Sequence, residues 1–389
     1  MKPLLPNVQL LCPVINIFRK CFSKPQFKQF ERYLCGLILL ANKTIDAMAT
    51  ATLGTIDQSS LNRFLTSAPW NAQAVEKKYF GKIKQVFGRN SVSLVIDDSL
   101  AKKTGKHIDD VQYHKNHSSS GFVFGHQFVT AVLRVKDWCF PLFPKLYSKR
   151  TCSKIDFAKQ IIVLAVNNFR VKEVILDSWY MASEVIKTAR QRGLHVTGCL
   201  KSNRTVSFDG KDWLKISSQR KKLKAKNATI MIVDDATYQV HELMVRVKKI
   251  GIMKVLITRQ WLEKDKKWSR PFYLASTNTQ LSAAQIIRTY ATRWSIETFH
   301  RDAKQYLGLE DCQVRARTGI IRHLMLTTLA YAILKLWQHL KNVSWTIGET
   351  IRCIQGQTFD DMIISIVEEN SIEKRWKLAE PFISKNAKV

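Results

Sequence analysis

Acidic residues are scarce in this sequence. Its 389 residues include 31 Asp and Glu against 62 Lys and Arg, a formal charge of +31. The cationic excess runs along the whole chain, which excludes a neutral body with one basic tail. A polyanion partner accounts for it most simply, because phosphate contact releases counterions. A membrane surface is the competing account, but the basic residues do not line one amphipathic face. Paired cysteines are also lacking. Cys12, Cys21, Cys35, Cys139, Cys152, Cys199, Cys312 and Cys353 include no CxxC pair and no His at zinc spacing, which excludes a zinc ribbon. Several lie in apolar runs, as reduced and buried thiols do in a reducing cytosol. The N-terminus is apolar, yet Pro3, Pro6 and Pro13 break it, and it has no signal-peptide core or cleavage site. The apolar run from Leu324 to Trp337 is short for a membrane span and carries Lys335. These absences lead to a cytoplasmic protein with no membrane partner, and the cationic excess to one associated with the nucleoid.

What is present is ordinary in amount. Hydrophobic residues make up 46% and charged residues 24%, enough for two or three domains with a large core. The first 25 residues or so are Pro-punctuated and read as irregular. From Phe27 to about Phe87 the apolar spacing is helical, with Phe30, Leu34, Leu37 and Ile38 on one stripe. Short helices with small turns suit a helix-turn-helix module or plain helical packing. From Ser91 the period changes. Leu94-Val95-Ile96 reads as a short strand closed by Asp97-Asp98-Ser99, and residues 102–120 as a loop rich in Lys and His. His114 and His117 in that loop are weighed as metal ligands, but no Cys or carboxylate follows at ligand spacing, so phosphate contact or solvent exposure is preferred. Phe122 to Val135 and Trp138 to Tyr147 read as antiparallel strands. Strands and helices then alternate, with Val174-Ile175-Leu176 closed by Asp177 and His195 to Leu200 followed by Lys201. That rhythm predicts an α/β layer with parallel pairing, and carboxylates at its C-terminal edge are where sites form.

Residues 205–280 break the rhythm. Four runs read as strands joined by basic connections, Arg220 to Lys226 and Lys264 to Arg270. Lys-rich loops either guard sheet edges or meet a DNA backbone. Then comes Tyr290 to Lys304, YATRWSIETFHRDAK. Tyr290, Arg293, Glu297 and Lys304 stand at offsets of 3, 7 and 14. A helix drifts by only about 20° per seven residues, so the four line one face. Ser282 to Gln285 reads as a capping box that opens the helix, and Gly308 as its stop. A carboxylate flanked by two cations and a phenol suits a metal-bound phosphodiester. The alternative is a solvated face with a Glu–Arg pair. Thr318 to Lys341 reads as an apolar core helix, and the tail after Ser344 as helical.

Asp97 or Asp98, Asp177 and Glu297 each have an alternative reading as a turn residue or an ion-pair partner. Together, in a basic chain, they fit a phosphoryl-transfer site in which two Mg²⁺ ions need hard carboxylate oxygens. The set Tyr290, Arg293, Glu297, Lys304 resembles the Y-R-E-K signature of DDE insertion-sequence transposases. Leu94 to Ser99 is similar to their first-aspartate strand, and Val174 to Tyr180 to their second. The resemblance spans roughly residues 30–340. It implies a ribonuclease-H-like α/β core, a mixed sheet flanked by helices, interrupted by a β-rich insertion. The domain order expected is 1–90 helical and DNA-binding, 91–204 first part of the core, 205–280 insertion, 281–317 the helix bearing the catalytic Glu, and 318–389 a helical C-terminal region. It further implies that Asp98, Asp177 and Glu297 hold two Mg²⁺ (or Mn²⁺) ions. Asp98 is preferred to Asp97 because relatives place the catalytic Asp immediately before Ser or Thr, and strand alternation lets only one of the two serve. Tyr290, Arg293, Lys304, Lys201 and Trp268 are expected on DNA, with Trp268, Phe272 or Tyr273 as base-stacking candidates. The implied activity is metal-dependent cleavage at transposon ends and 3′-end strand transfer into target DNA by a homodimer. A nuclease without strand transfer and a catalytically silent, domesticated DNA-binding protein are the rivals.

Overall fold

The computed structural model describes residues 9–51, 57–105, 107–115, 121–150, 152–223, 227–368 and 370–372. Pro3, Pro6, His117 and Lys224 to Lys226, named above, lie outside them. Helices come first. Gln9 to Cys21 is not irregular as expected. It coils through short helical turns around α1 (Cys12–Ile15), and Leu11, Val14, Ile15 and Phe18 are buried. α2 (Lys24–Leu39) starts at a capping box, Ser23 with Gln26, and buries Phe27, Phe30, Leu34, Leu37 and Ile38. α3 (Ile45–Thr50), α4 (Gln58–Thr66) and α5 (Ala72–Phe87) begin at Thr44, Asp57 and Asn71, whose side chains accept backbone N–H bonds.

The sheet is built around β1 (Val92–Lys102), which runs straight through the Asp pair and into the segment expected as a loop. β2 (Gln112–Lys115), β3 (Phe122–Val135) and β4 (Trp138–Tyr147) follow. β1 pairs antiparallel with β3, whose other edge takes β2 and β4 end to end. α6 (Lys154–Asn168) leads to β5 (Val171–Leu176), and α7 (Ser183–Arg190) to β6 (His195–Cys199). β1, β5 and β6 are parallel, as the alternating pattern predicts. Gly198 lets the turn after β5 close on β6, since a Cβ there would stand 2.6 Å from the Leu176 carbonyl oxygen.

The segment expected as a β-rich insertion, residues 205–280, holds β7 (Thr205–Ser207), β8 (Leu214–Lys215), α8 (Ile216–Lys222), β9 (Thr229–Val233), β10 (Ala236–Val247), β11 (Gly251–Leu262), β12 (Lys267–Trp268) and β13 (Phe272–Ser276). It continues the same sheet, because β13 pairs antiparallel with β6 and with β11. β11 therefore runs in the direction of β6. Its end beyond Thr258 reaches past the sheet edge where β5 and β6 finish.

Four helices follow among the described residues. The stretch expected as one helix is two, α9 (Ala283–Ala291) and α10 (Trp294–Leu307). Thr292 and Arg293 form a tight turn between them. Thr292, Arg293 and Ser295 donate their N–H groups to carbonyls three residues back, and the Thr292 hydroxyl bonds the Thr289 oxygen at 2.6 Å. A threonine hydroxyl that competes for a backbone carbonyl bends a helix. The capping box at Ser282 and Gln285 forms as predicted, and Gly308 ends α10 at φ 71°. A Cβ on Gly308 would also meet the Lys43 side chain at 2.7 Å, so both conformation and space demand glycine there. α11 (Arg317–Lys341) is long and apolar enough to cross a membrane, contrary to the sequence estimate, but 83% of its apolar window is buried inside the protein. It packs on β4, α2, α4 and α10 and shares one hydrophobic core with the N-terminal helices. Tyr33 and His323 lock α2 to α11 at 2.7 Å. α12 (Ile347–Glu368) follows.

Candidate active site

The central strand presents its two carboxylates to opposite faces. Asp97 is opposite Thr130 of β3 in the ladder, and Thr130 bonds His300 of α10 at 2.6 Å. Asp97 thus faces α10. Its Oδ2 accepts from Arg293 Nη1 at 3.1 Å, and Arg293 Nη2 donates to Glu297 Oε1. One guanidinium ties together carboxylates separated by 200 positions in the chain, less four for Asp97 to Arg293 itself. Asp98 turns the other way, toward α6. Lys154 Nζ lies 3.2 Å from its Oδ2, Gln127 donates to the same oxygen, and the Tyr180 hydroxyl donates to Oδ1 at 3.0 Å. Asp98, the expected ligand, thus lies apart from Arg293 and Glu297, while its charge reaches Asp177. The structure groups Asp97, not Asp98, with Arg293 and Glu297.

Asp177 follows β5, as expected. Its Oδ1 accepts the N–H groups of Trp179 and Tyr180 at 3.0 and 3.1 Å, so it also holds its own turn. Burial raises its pKa, opposed by the Tyr180 N–H bond and reinforced by the Asp98 charge. Burial pushes Asp97 up to about 7, with the Asp177 and Asp98 charges adding to the effect, and with the Asp98 N–H bond and Arg293 opposing it. Three aspartates thus crowd one sheet end, and Arg293 lies within the field of Asp177 as well as in contact with Asp97 and Glu297. Clustered, partly desolvated carboxylates of this kind call for positive charge. Among the described residues, however, no group of three or more His, Cys, Asp or Glu side chains is arranged to hold a metal ion. Arg293 occupies the space between Asp97 and Glu297.

The remaining predicted residues are divided by the structure. Tyr290, on α9, lies with its ring 5.6 Å from the Arg293 guanidinium, and burial raises its pKa. Lys304, on α10, donates to the Leu100 oxygen at 2.9 Å and pairs with Glu310 at 2.6 Å, so it braces the exit of β1. Lys201 is exposed after β6, with its ammonium 4.4 Å from the centre of the Trp179 ring. Trp268 is half-buried on the projecting β11–β12 arm, edge-on to Trp261 at 5.3 Å. Phe272 is exposed, whereas Tyr273 is buried and cannot serve as a stacking face. His114 is neither exposed nor on a ligand cluster. It is buried in β2, and burial together with Lys149 and Lys154 lowers its pKa. Lys154, Gln127, Tyr180, Trp179 and His300 had no sequence signal. Each becomes visible only through the packing of β1 against α6 and α10.

With that geometry in place, comparison with known proteins gives the class and then the family. Residues 17–159, which carry β1, match a family described as a DDE superfamily endonuclease. Residues 147–344, from the end of β4 to just past α11 and including Asp177 and Glu297, match the family described as "archaeal putative transposase ISC1217". That match spans half of the chain, and the chain belongs to this transposase family. No curated protein matches it. Among solved structures, a piggyBac transposase synaptic complex with hairpin DNA is similar at a TM-score of 0.48 and 9% identity, covering 97% of this chain and 81% of that one. A Drosophila P element transposase strand transfer complex is similar at 0.26 and 9% identity, covering 97% and 99%.

Proposed function

We propose that this chain is a metal-dependent DDE transposase that cuts phosphodiester bonds at the ends of its element and joins the 3′ ends to target DNA. The observation that carries the reading is Arg293, which bridges Asp97 of the central strand to Glu297 of α10 beside Asp177. The order β4-β3-β1-β5-β6, with β1, β5 and β6 parallel, supports the ribonuclease-H-like reading of the core. Asp97, Asp177 and Glu297 would supply hard oxygen donors of the kind that divalent cations such as Mg²⁺ take, with Arg293 bonded to two of them in the arrangement described. The chemistry that two such ions would supply there is activation of the attacking oxygen and stabilisation of the leaving one. Arg293, which bonds Asp97 and Glu297 here, would offer its planar guanidinium to a phosphate oxygen of bound DNA. Tyr290 orients Arg293 through its ring. Lys304 holds β1 in place and lends charge to the same phosphate. This keeps the Tyr290, Arg293, Glu297, Lys304 signature in its expected role across two helices. Asp98 is a positioning residue in this reading, since its bond to the Tyr180 hydroxyl steadies the turn that aims Asp177.

The basic charge of +31 supports transposon-end and target DNA as substrate. A homodimer acting on two ends inside the cytoplasm completes the proposal. The test is a supercoiled-plasmid assay carrying the element's ends, in Mg²⁺ and in EDTA. Nicking and joining are expected from the wild type in Mg²⁺ only, and neither from Glu297→Gln, which still binds the ends. Cutting without joining would favour the simple nuclease. Normal cutting by Glu297→Gln would sink the assignment.

A further inference from the structure

Beside the carboxylates stands a large aromatic side chain with no place in the core. Trp179 follows Asp177 by two residues and is 43% exposed. Its backbone is fixed, because its N–H donates to Asp177 Oδ1 at 3.0 Å. Two ammonium groups lie over its ring, Lys154 at 4.6 Å and Lys201 at 4.4 Å from the centroid. The two differ in tether. Lys154 is largely buried and paired with Asp98, while Lys201 is exposed. Cation–π contact at an exposed site is weak, so a phosphate can draw Lys201 away. A nucleobase has the flat face needed to take the position that Lys201 leaves, and base–aromatic stacking tolerates any sequence.

We propose that Trp179 is a stacking platform for an unpaired nucleotide next to the phosphate being cut, with Lys201 moving from the ring to that nucleotide's phosphate and Lys154 remaining against the ring. The inference rests on the DNA-cleaving reading of the site. It adds a nucleotide subsite on the Asp177 turn, separate from the aromatic residues of the insertion. The contact is non-covalent and independent of the chemical step, so it is testable by binding alone.

The experiment compares two fluorescently labelled duplexes in calcium buffer, one blunt and one ending in a single-stranded thymine overhang with a single 2-aminopurine. The wild type is expected to prefer the overhang duplex and to quench the 2-aminopurine. Trp179→Ala should bind the overhang duplex roughly 5- to 100-fold more weakly and lose the quench, with blunt-duplex binding unchanged. Trp179→Phe should retain most of both, which separates lost stacking from damaged structure. Lys201→Gln should weaken both duplexes by a few-fold at most. Overhang binding and quenching by Trp179→Ala equal to wild type would overturn the platform and leave the DNA reading standing, as would a wild type that does not distinguish the two duplexes. A wild type that binds neither duplex would remove both.

Discussion

Asp97 and Asp98 are adjacent in one strand, yet their surroundings have little in common. On the α10 face, Asp97 meets a single shared cation, Arg293, and is pushed up to about 7 by burial and by neighbouring carboxylates. On the α6 face, Asp98 has a lysine of its own, an amide and a phenol. The first environment shares one guanidinium between two carboxylates. The second is complete without any visitor. A ligand-binding carboxylate is recognised by what its environment lacks, and a positioning carboxylate by what its environment already satisfies.

The comparison breaks or holds most decisively in cleavage. Asp97→Asn, Asp177→Asn and Glu297→Gln should each lower Mg²⁺-dependent nicking by about 1,000-fold or more, with DNA binding retained. A folded Asp98→Asn that cannot cut, next to an active Asp97→Asn, would reverse the two faces. The next effect is on stability. Asp98→Asn leaves Lys154 without its carboxylate and should cost about 1–3 kcal/mol, read from chemical denaturation. Adding Lys154→Met should recover part of that loss in a non-additive way.

A smaller effect separates the faces by pH. His300 on α10 is held neutral at a pKa of about 3, by burial first and then by Lys304 and Arg293. Its folded pKa lies below the unfolded value of about 6.5, so its contribution to stability is complete above pH 6.5 and is lost as pH falls toward 3. About 1–2 kcal/mol should disappear between pH 6.5 and 5. His126 and His323 are shifted the same way, so the readout is the difference between wild type and His300→Gln across that range. Hydrogen exchange should show α10 loosening before α6. If the two curves coincide, His300 carries none of the acid sensitivity. The smallest effects belong to the rim. Lys201→Gln should reduce the salt dependence of DNA binding by about 0.9 in logarithmic slope, with affinity changed a few-fold.

Much of the architecture was legible in the chain. The switch to period two at Ser91, the hairpin from Phe122 to Tyr147, the alternation around Asp177 and the strands of the insertion all appear where the pattern placed them. Local chemistry explains why. The capping box at Ser282 and the glycine at Gly308 act over a few residues, so they can be read without tertiary context. The failures are equally physical. The bend at Thr292 contains neither Pro nor Gly. It depends on which carbonyl a threonine hydroxyl chooses, and the heptad spacing of Tyr290, Glu297 and Lys304 concealed it. β1 was cut short at its polar pair because half-buried acidic residues in mid-strand look like a turn.

Sequence by itself determined that one carboxylate of the pair must face away from the other, since strand residues alternate. It also determined that Asp177 and Glu297 would end on a strand edge and a helix. It did not determine which side of the sheet would receive the helix. Only the packing of α10 on one face of β1 and α6 on the other decided that Asp97 meets Arg293 and Glu297 while Asp98 meets Lys154. The reason is that alternation is a property of the backbone, whereas the choice of face is made by distant apolar surfaces burying one another.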